Sequence, residues 1–575
     1  MYSQHNFINK KSKSMVILGI NYMFHDSSAC ILKDGKLIVA VEEERFTRNK
    51  HDVVFPHISI EQCLKIANIT IEDIDHIGLS FKPTLDVSKK IAFILKHPKL
   101  ILKNFNLHLL RYYWRYRTIS KWYKSTFLGA DKPKLHFIPH HKSHIAGSFF
   151  CSPYQEAALL SMDGSGEWAT ASLGYGNGIE ITDFRQIYYP YSMGSVYEAI
   201  TYYCGFKPSY DEGKTMGLAP LGNSDRFINE VREIIKVSSE GDFLIDFDYF
   251  NFDDGQFEYL SDKFIQKFGP KRLPRQPFEQ HHMDVAAAFQ TRLEEVALEL
   301  CKILHNKTKA EYLVIAGGVS LNSVMNGRIV RESGFKDLYV MPAAGDNGTS
   351  IGAAYYIYNA ILKNPRTEPH MNAYLGTEYS NQQIEAILKE CKLNYEFFDN
   401  IEQKTAELLH AGSILGWFQG KMEIGPRALG GRSIIADPTN KTMKDKINAE
   451  VKHREAYRPF APSVIMEAAS EYFDLTVEDP FMLKVCNVNT DMMSVLPAIT
   501  HVDGTARAQT VNKETNPRYH KMITEFGKLS GVPVVLNTSF NIMDEPIVES
   551  PYDAIRCFFS TGLDYLIIGN FVVKK

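Results

Sequence analysis

The feature that most constrains this chain is a pattern that occurs twice. Val16–Asn21, Ser27–Lys33 and Lys36–Glu44 are apolar and β-branched, and Asp34-Gly35 separates the last two. That dipeptide between two such runs is a strong signal for a tight hairpin. Ile60–Ile69 follows with helical spacing. From Ala157 to Gly178 the order recurs as strand, polar glycine loop, strand and turn, beginning AALLSMDGSGE.

Two hairpin-plus-helix modules, each with a polar loop after its first strand, predict a duplicated α/β nucleotide-binding core. Actin-like and sugar-kinase-like (ribonuclease-H-like) ATPases are built this way. Downstream, Met283–Lys307 reads as an amphipathic helix, Tyr312–Asn322 as a strand closed by Gly317-Gly318, and Gly348–Leu362 as a second helix. A glycine pair at a strand end lets backbone approach a nucleotide. A chain of 575 residues exceeds one core, so two domains are expected. Lys363–Ser380 is polar with two prolines and places the boundary. The expected units are an extension at 1–14, a larger domain at 15–365, a linker at 366–380 and a smaller α/β domain at 381–575.

The net charge of −3 gives no reason to expect whole-molecule binding to nucleic acid. No apolar run reaches the roughly 18 residues of a membrane span. Eight cysteines stand singly with no CxxC pair, as expected of reduced thiols in a cytoplasmic protein. One segment departs from the even charge balance. Val87–Ala130 contains no Asp or Glu and includes RYYWRYR (Arg111–Arg117). It reads either as a solvated basic face on one or two helices or as a surface for an anionic acceptor, a lipid-linked acceptor or a membrane.

Several constellations suit chemistry. In HHKSH, His140 and His144 stand four apart, which on a helix puts both imidazoles on one face. Two capping histidines would share that spacing. Asp163 in SMDGSGE and Asp346 in AAGDNGTS each meet a glycine loop, where a carboxylate can bind metal while loop N–H groups face phosphate. A plain turn is the alternative at both. Two histidines and two aspartates suit Fe(II), Mn(II) or Zn(II) without choosing among them.

Arg427 and Arg432 lie among glycines in GWFQGKMEIGPRALGGRSIIADP, and VKHREAYRPFAPSV brings Lys452, Arg454 and Arg458 close to Ser463. Cations beside glycine-rich backbone form phosphate sites, and the density of Gly and Pro weighs against simple surface ion pairs. Arg507 in VDGTARAQTV adds an anion contact. Asn537, Thr538, Ser539 and Asn541 in LNTSFN offer donors and acceptors suited to an amide, or to a cap or turn.

Taken in order, HDSSAC (His25–Cys30), EEERFTRNKH (Glu42–His51), HHKSHIAGSF (His140–Phe149), DGSGE (Asp163–Glu167), EGKTMGLAPLG (Glu212–Gly222), GGVSLN, GDNG, GPRALGGRSI, KHREAYRPFAPS, DGTARAQTV and NTSFN resemble the motifs of the O-carbamoyltransferase family. Its members act on nodulation factors, cephalosporin-type and aminoglycoside antibiotics and related toxins. The ordered set is far more specific than any single motif and spans nearly the whole chain from Met15. The resemblance implies an N-terminal domain similar to the tRNA threonylcarbamoyl-transferring ATPase and a C-terminal domain similar to its carbamoyl-adenylate-forming partner. It implies ATP-dependent transfer of the carbamoyl group of carbamoyl phosphate, through carbamoyl-adenylate, to a hydroxyl of a small acceptor in secondary-metabolite or glycan biosynthesis. ATP and a divalent metal are the implied cofactors, with Fe(II) ahead of Mn(II), Zn(II) and Mg(II).

Carried over residue by residue, the metal ligands would be His140, His144, Asp163 and Asp346. Arg427, Lys452, Arg458, Ser463, Arg507, Asn537 and Ser539 would form the carbamoyl-phosphate and ATP site. Gly164, Gly166, Gly317, Gly318 and Asn322 would contact nucleotide in the larger domain. His25, Asp26, Asp211, Glu212 and Lys214 would face the acceptor, with Asp26, Asp211 and Glu212 each qualifying as general base. The implied partners are carbamoyl phosphate, ATP and the acceptor, without nucleic acid, and a homodimer is left open. A fused tRNA threonylcarbamoyl-adenosine synthase would share both domains. A sugar kinase would leave the C-terminal motifs unexplained, and a non-catalytic regulator would not need the intact ligand set.

Overall fold

A computed structural model of the chain describes residues 14–22, 25–90, 104–129, 132–251, 258–455, 457–475 and 477–575. The expected extension at 1–14 therefore lies almost wholly outside the described residues, as does part of the basic segment. Strands β1 (Val16–Asn21), β2 (Ser28–Lys33) and β3 (Lys36–Glu42) form an antiparallel meander. Asp34 and Gly35 both take positive φ, 50° and 79°, as the Asp-Gly turn requires. β4 (His76–Leu79) and β5 (Lys134–Phe137) then add in parallel, giving the order β3-β2-β1-β4-β5.

The second sheet has the same pairing. β6 (Glu156–Met162), β7 (Ala169–Asn177) and β8 (Glu180–Tyr188) form a meander. A small hairpin of β9 (Ile235–Val237) and β10 (Phe243–Ile245) intervenes. β11 (Tyr312–Ala316) and β12 (Asp337–Val340) complete the order β12-β11-β6-β7-β8 in parallel with β6. The C-terminal half is a mixed sheet of eight strands. From one edge these are β13 (Tyr395–Phe397), β22 (Phe571–Lys574), β21 (Tyr565–Ile568), β14 (Leu415–Phe418), β15 (Arg432–Ala436), β20 (Val534–Ser539), β16 (Ala461–Ile465) and β19 (Gln509–Val511). A two-stranded ribbon of β17 (Cys486–Asn487) and β18 (Thr505–Ala506) stands beside it.

Helix His140–Cys151 crosses helix Thr349–Tyr355 at glycines. A Cβ on Gly352 would stand 1.7 Å from the Ser143 carbonyl oxygen, and one on Gly147 would meet Gly352 at 3.3 Å. Only glycine permits this approach. The crossing matters because His140 and His144 ride one helix and Asp346 begins the turn into the other. The single helix expected over Gly348–Leu362 is divided. Its start is a 3-10 turn at Asp346–Gly348, and its end, Tyr356–Ile361, is a π-helical turn in which Leu362 N–H reaches the Ile357 carbonyl at 2.9 Å. The long helix runs Gln280–Thr308, extended at its start by reciprocal capping between Glu279 and His282.

The two halves meet at the loop preceding β15. Glu423 Oε1 accepts the N–H groups of Leu429, Gly431 and Arg432 at 2.8, 2.6 and 3.1 Å. Arg432 is fully buried and donates to the carbonyls of Gln419, Gly420, Gly431 and Thr377. This cation, grouped by sequence with the phosphate binders, closes the loop instead. Gly425 takes φ +103°, and a Cβ there would lie 2.4 Å from the Pro342 carbonyl oxygen, four residues before Asp346.

Candidate metal and anion site

His140 and His144 project from one face of their helix, Asp163 directly follows β6, and Asp346 opens the turn after β12. Their four ligand atoms lie within 4.8 Å of one another. Asp163 Oδ2 is 3.3 Å from His140 Nε2 and 2.8 Å from His144 Nε2; Asp346 Oδ1 is 3.4 and 3.3 Å from the same atoms. The two Nε2 atoms are 3.0 Å apart. Bonds of about 2.1 Å to a common ion give ligand–ligand edges of about 3.0–3.4 Å, so the set fits a divalent transition ion. Burial would lower both imidazoles. The carboxylates outweigh it, holding His140 up at about 10 and His144 above its ordinary value. Against the burial that would raise them, Asp163 falls well below the carboxylate range and Asp346 to about 2. His141 points elsewhere, bonded to Ser161 Oγ and the Ala169 carbonyl, and burial drops it to about 3.

The two aspartates face a cleft of about 430 Å³. At its N-terminal side Asp26 is clamped by His25 Nδ1 at 2.9 Å and His51 Nδ1 at 2.7 Å. His25 opens into the cleft and is held well above its ordinary value, because Asp346 and Asp26 outweigh the effect of burial. Asp211 pairs with Lys214 at 2.9 Å. Burial and the neighbouring Glu198 carboxylate push Glu212 up to about 7.

The opposite wall is cationic. Arg427, Lys452, Arg454, Arg458 and Arg507 line the same cleft. Burial, then Arg507 and Arg458, hold Arg427 well below its ordinary value. Burial and Arg454 do the same to Lys452. Arg454 is lowered to about 9 and Arg507 to about 10, first by burial and then by neighbouring arginines. The Nε atoms of Arg427 and Arg507 are buried without a hydrogen-bond partner. Lys452 Nζ is anchored by the Ser539 carbonyl and by Asn541 Oδ1 at 2.7 Å. Asn537 Nδ2 donates to the Ala428 carbonyl at 3.2 Å, to Ser463 Oγ at 2.9 Å and to Gln509 Oε1 at 3.1 Å. A carbonyl can only accept, so this fixes the amide orientation and leaves Asn537 Oδ1 buried without a donor.

The cleft thus gathers His25, Asp26, Asp163, Gly164, Asp211, Glu212, Lys214, Gly318, Asn322, Asp346, Arg427, Lys452, Arg458, Arg507, Asn537 and Ser539. His140 and His144 stand behind the two aspartates, with side chains no more than 1% exposed. Three expected contacts lie behind the lining. Gly166 packs on the His140 ring, Gly317 (φ +91°) makes room for the Met162 carbonyl, and Ser463 supports Asn537 from below. Sequence reasoning missed Glu198, Lys50 and Gln509. Glu198 sits within helix Met193–Tyr203 outside any motif, whereas Lys50 stood in the quoted EEERFTRNKH and Gln509 in DGTARAQTV.

A buried cluster of two His and two Asp that could hold a metal ion shares one cleft with a cationic wall in an α/β fold. Residues 16–355 match the carbamoyltransferase N-terminus model and residues 406–575 the carbamoyltransferase C-terminus model. The chain belongs to the carbamoyltransferase family and is a carbamoyltransferase enzyme. It is 34% identical to nodulation protein NolNO of Sinorhizobium fredii over 96% of this chain and 80% of that one. It is 29% identical to the 3'-hydroxymethylcephem-O-carbamoyltransferase of Streptomyces clavuligerus over 64% of this chain and 65% of that one. It is also 41% identical to an uncharacterized protein of Synechocystis, covering 97% and 96% of the two chains.

The purified protein is expected to carry one divalent transition ion per chain by elemental analysis. His144→Ala should weaken metal binding by at least about a hundredfold through loss of a ligand. Gly352→Ala, which touches no ligand, should also empty the site by forcing the two helices apart. Full metal content in both variants would contradict this assignment.

Proposed function

We propose that the chain is an ATP-dependent O-carbamoyltransferase. Its C-terminal half activates carbamoyl phosphate as carbamoyl-adenylate, and its N-terminal half passes the carbamoyl group to a hydroxyl of a small acceptor. The observation that carries this reading is two buried guanidinium Nε donors in the same pocket as a buried amide oxygen, none with a partner. The guanidiniums call for an anion and Asn537 Oδ1 calls for an N–H donor. Carbamoyl phosphate presents both within one small molecule.

The chemistry balances when both phosphate and pyrophosphate leave. Water releases phosphate from carbamoyl phosphate, a carbamate oxygen bonds to the α-phosphorus of ATP, and the bond from that phosphorus to pyrophosphate breaks. The acceptor oxygen then bonds to the carbamoyl carbon, AMP departs, and the hydroxyl proton passes to a base. Adenylation supplies the better leaving group that a nitrogen-stabilised carbamoyl carbonyl needs. Arg427, Arg458 and Arg507 neutralise the phosphates, and Lys452 holds the strand end that carries Ser539. Gly164, Gly318 and Asn322 offer close backbone and amide contacts to nucleotide on the other wall. A bound divalent ion supplies Lewis-acid polarisation. One shared cleft shields the mixed anhydride from water.

Glu212 suits the base role best. Asp26 is held far down between two histidines, and Asp211 is paired with Lys214. At about 7, Glu212 is half ionised near neutrality, where a base is most effective. The matching order of the first two sheets supports reading them as a duplicated actin/sugar-kinase-like (ribonuclease-H-like) ATPase core, joined through 366–380 to the activating domain.

Calorimetry with carbamoyl phosphate and acetyl phosphate tests the reading, since the two differ by one amino group. Acetyl phosphate should bind about ten- to a hundredfold more weakly, because it leaves Asn537 Oδ1 unpaired. Arg507→Ala should weaken binding of both. Equal affinity for the two, or for inorganic phosphate, would reduce the pocket to a general anion site. The rate of the transfer step should rise with pH through about 7 and then level, as Glu212 ionises. Glu212→Gln should lower it about 10²–10⁴-fold and remove that limb; an unchanged pH profile would assign the base elsewhere.

A further inference from the structure

One crossover in the N-terminal half is far longer than its counterpart. Residues 80–133 join parallel strands β4 and β5, whereas residues 317–336 make the equivalent link between β11 and β12. The longer link holds helix Asn104–Thr126, and residues 87–130 contain no Asp or Glu. Ile119, Trp122, Tyr123 and Phe127 pack this segment onto the core of the first sheet. Other side chains turn outward. Trp114 is 60% exposed, Tyr116 44%, and Leu128, just beyond the helix, 83%. Arg117, Lys121 and Lys124 are exposed among them, and the Arg117 guanidinium lies 5.5 Å over the Trp114 ring.

A basic face that only meets water has no need of an exposed Trp and Leu. Cations interleaved with interfacial aromatics are the chemistry of a helix lying on a bilayer. There, Lys and Arg meet acidic headgroups while Trp and Tyr rest at headgroup depth. We propose that this helix is a docking surface for an anionic lipid bilayer.

The helix also packs beside the end of β1, the strand that leads toward His25. The Arg115 guanidinium lies 5.8 Å over the Tyr22 ring, Tyr22 packs edge-on against Phe55, and Phe55 packs against Trp122. Tyr22 follows Asn21, whose side-chain amide donates to the carbonyls of His25 and Asp26 at 2.9 and 3.0 Å. The inference does not rest on carbamoyl transfer, so either can fail alone.

Co-sedimentation of the full chain with vesicles tests it. Vesicles of phosphatidylcholine and phosphatidylglycerol should carry the protein down at low ionic strength. Phosphatidylcholine alone should not, and added salt should release it. Binding should shift tryptophan emission to the blue, and Trp114→Phe should abolish the shift. The charge-reversed variant Arg117→Glu/Lys121→Glu/Lys124→Glu should bind at least about tenfold more weakly while keeping its metal content and unfolding temperature. Because charge reversal can disturb folding, Trp114→Ala/Leu128→Ser, which keeps every cation, should also weaken binding. Protein left in the supernatant with acidic vesicles overturns the proposal. So does wild-type affinity in both folded variants, an emission spectrum that does not move, or preference for single-stranded RNA over the vesicles.

Discussion

Glu42 and Arg45 form the buried junction on which the site depends. Glu42, the last residue of β3, accepts from the side chain of Asn347, from Arg45 Nε at 2.9 Å and from the Gly425 N–H at 3.4 Å. Arg45 donates to the Gly425 carbonyl at 2.8 Å. Asn347 is the neighbour of the candidate ligand Asp346, and Gly425 stands two residues before Arg427. One carboxylate thus ties the Asp346 turn to the loop that presents Arg427, and the Gly425–Pro342 backbone contact fixes the spacing from the other side. Breaking such a buried pair costs about 3–5 kcal/mol, because a charge is left uncompensated. That cost keeps the two chemistries in a fixed relation.

The cleft is polarised across this junction. The N-terminal wall carries carboxylates, of which Asp26, Asp163 and Asp346 are held low by histidines. The C-terminal wall crowds arginines; burial, then mutual repulsion, lowers Arg427, Arg454 and Arg507, and Arg427 and Arg507 retain Nε atoms without partners. Folding places these cations together at a cost that a bound anion would offset. On the proposed reading, an anionic activated group formed on one wall and consumed on the other would never have to leave the protein.

Much of this was legible in the sequence because local spacing dictated it. His140 and His144 fall on one helix face by periodicity, and Asp34-Gly35 can make the first hairpin with both residues at positive φ. The remainder depends on which distant groups meet. Arg432 and Arg427 look alike in GPRALGGR, yet the terminal nitrogens of Arg432 donate to four carbonyls while Arg427 faces the cleft. Gly317 and Gly318 are equally adjacent in sequence, and only Gly318 lines the cleft. Glu198 lay in no motif. Its part in raising Glu212 arises from the approach of two helices. The Gly147–Gly352 crossing that seats the candidate ligands joins residues far apart in the chain, so neither glycine could be singled out from its neighbours.

Pyrophosphate release by the purified, metal-replete protein given ATP and carbamoyl phosphate, without acceptor, tests the central claim most directly. The proposed reaction predicts release that depends on carbamoyl phosphate and disappears in Arg458→Ala. Release with threonine and bicarbonate in place of carbamoyl phosphate, and none with carbamoyl phosphate itself, would contradict it.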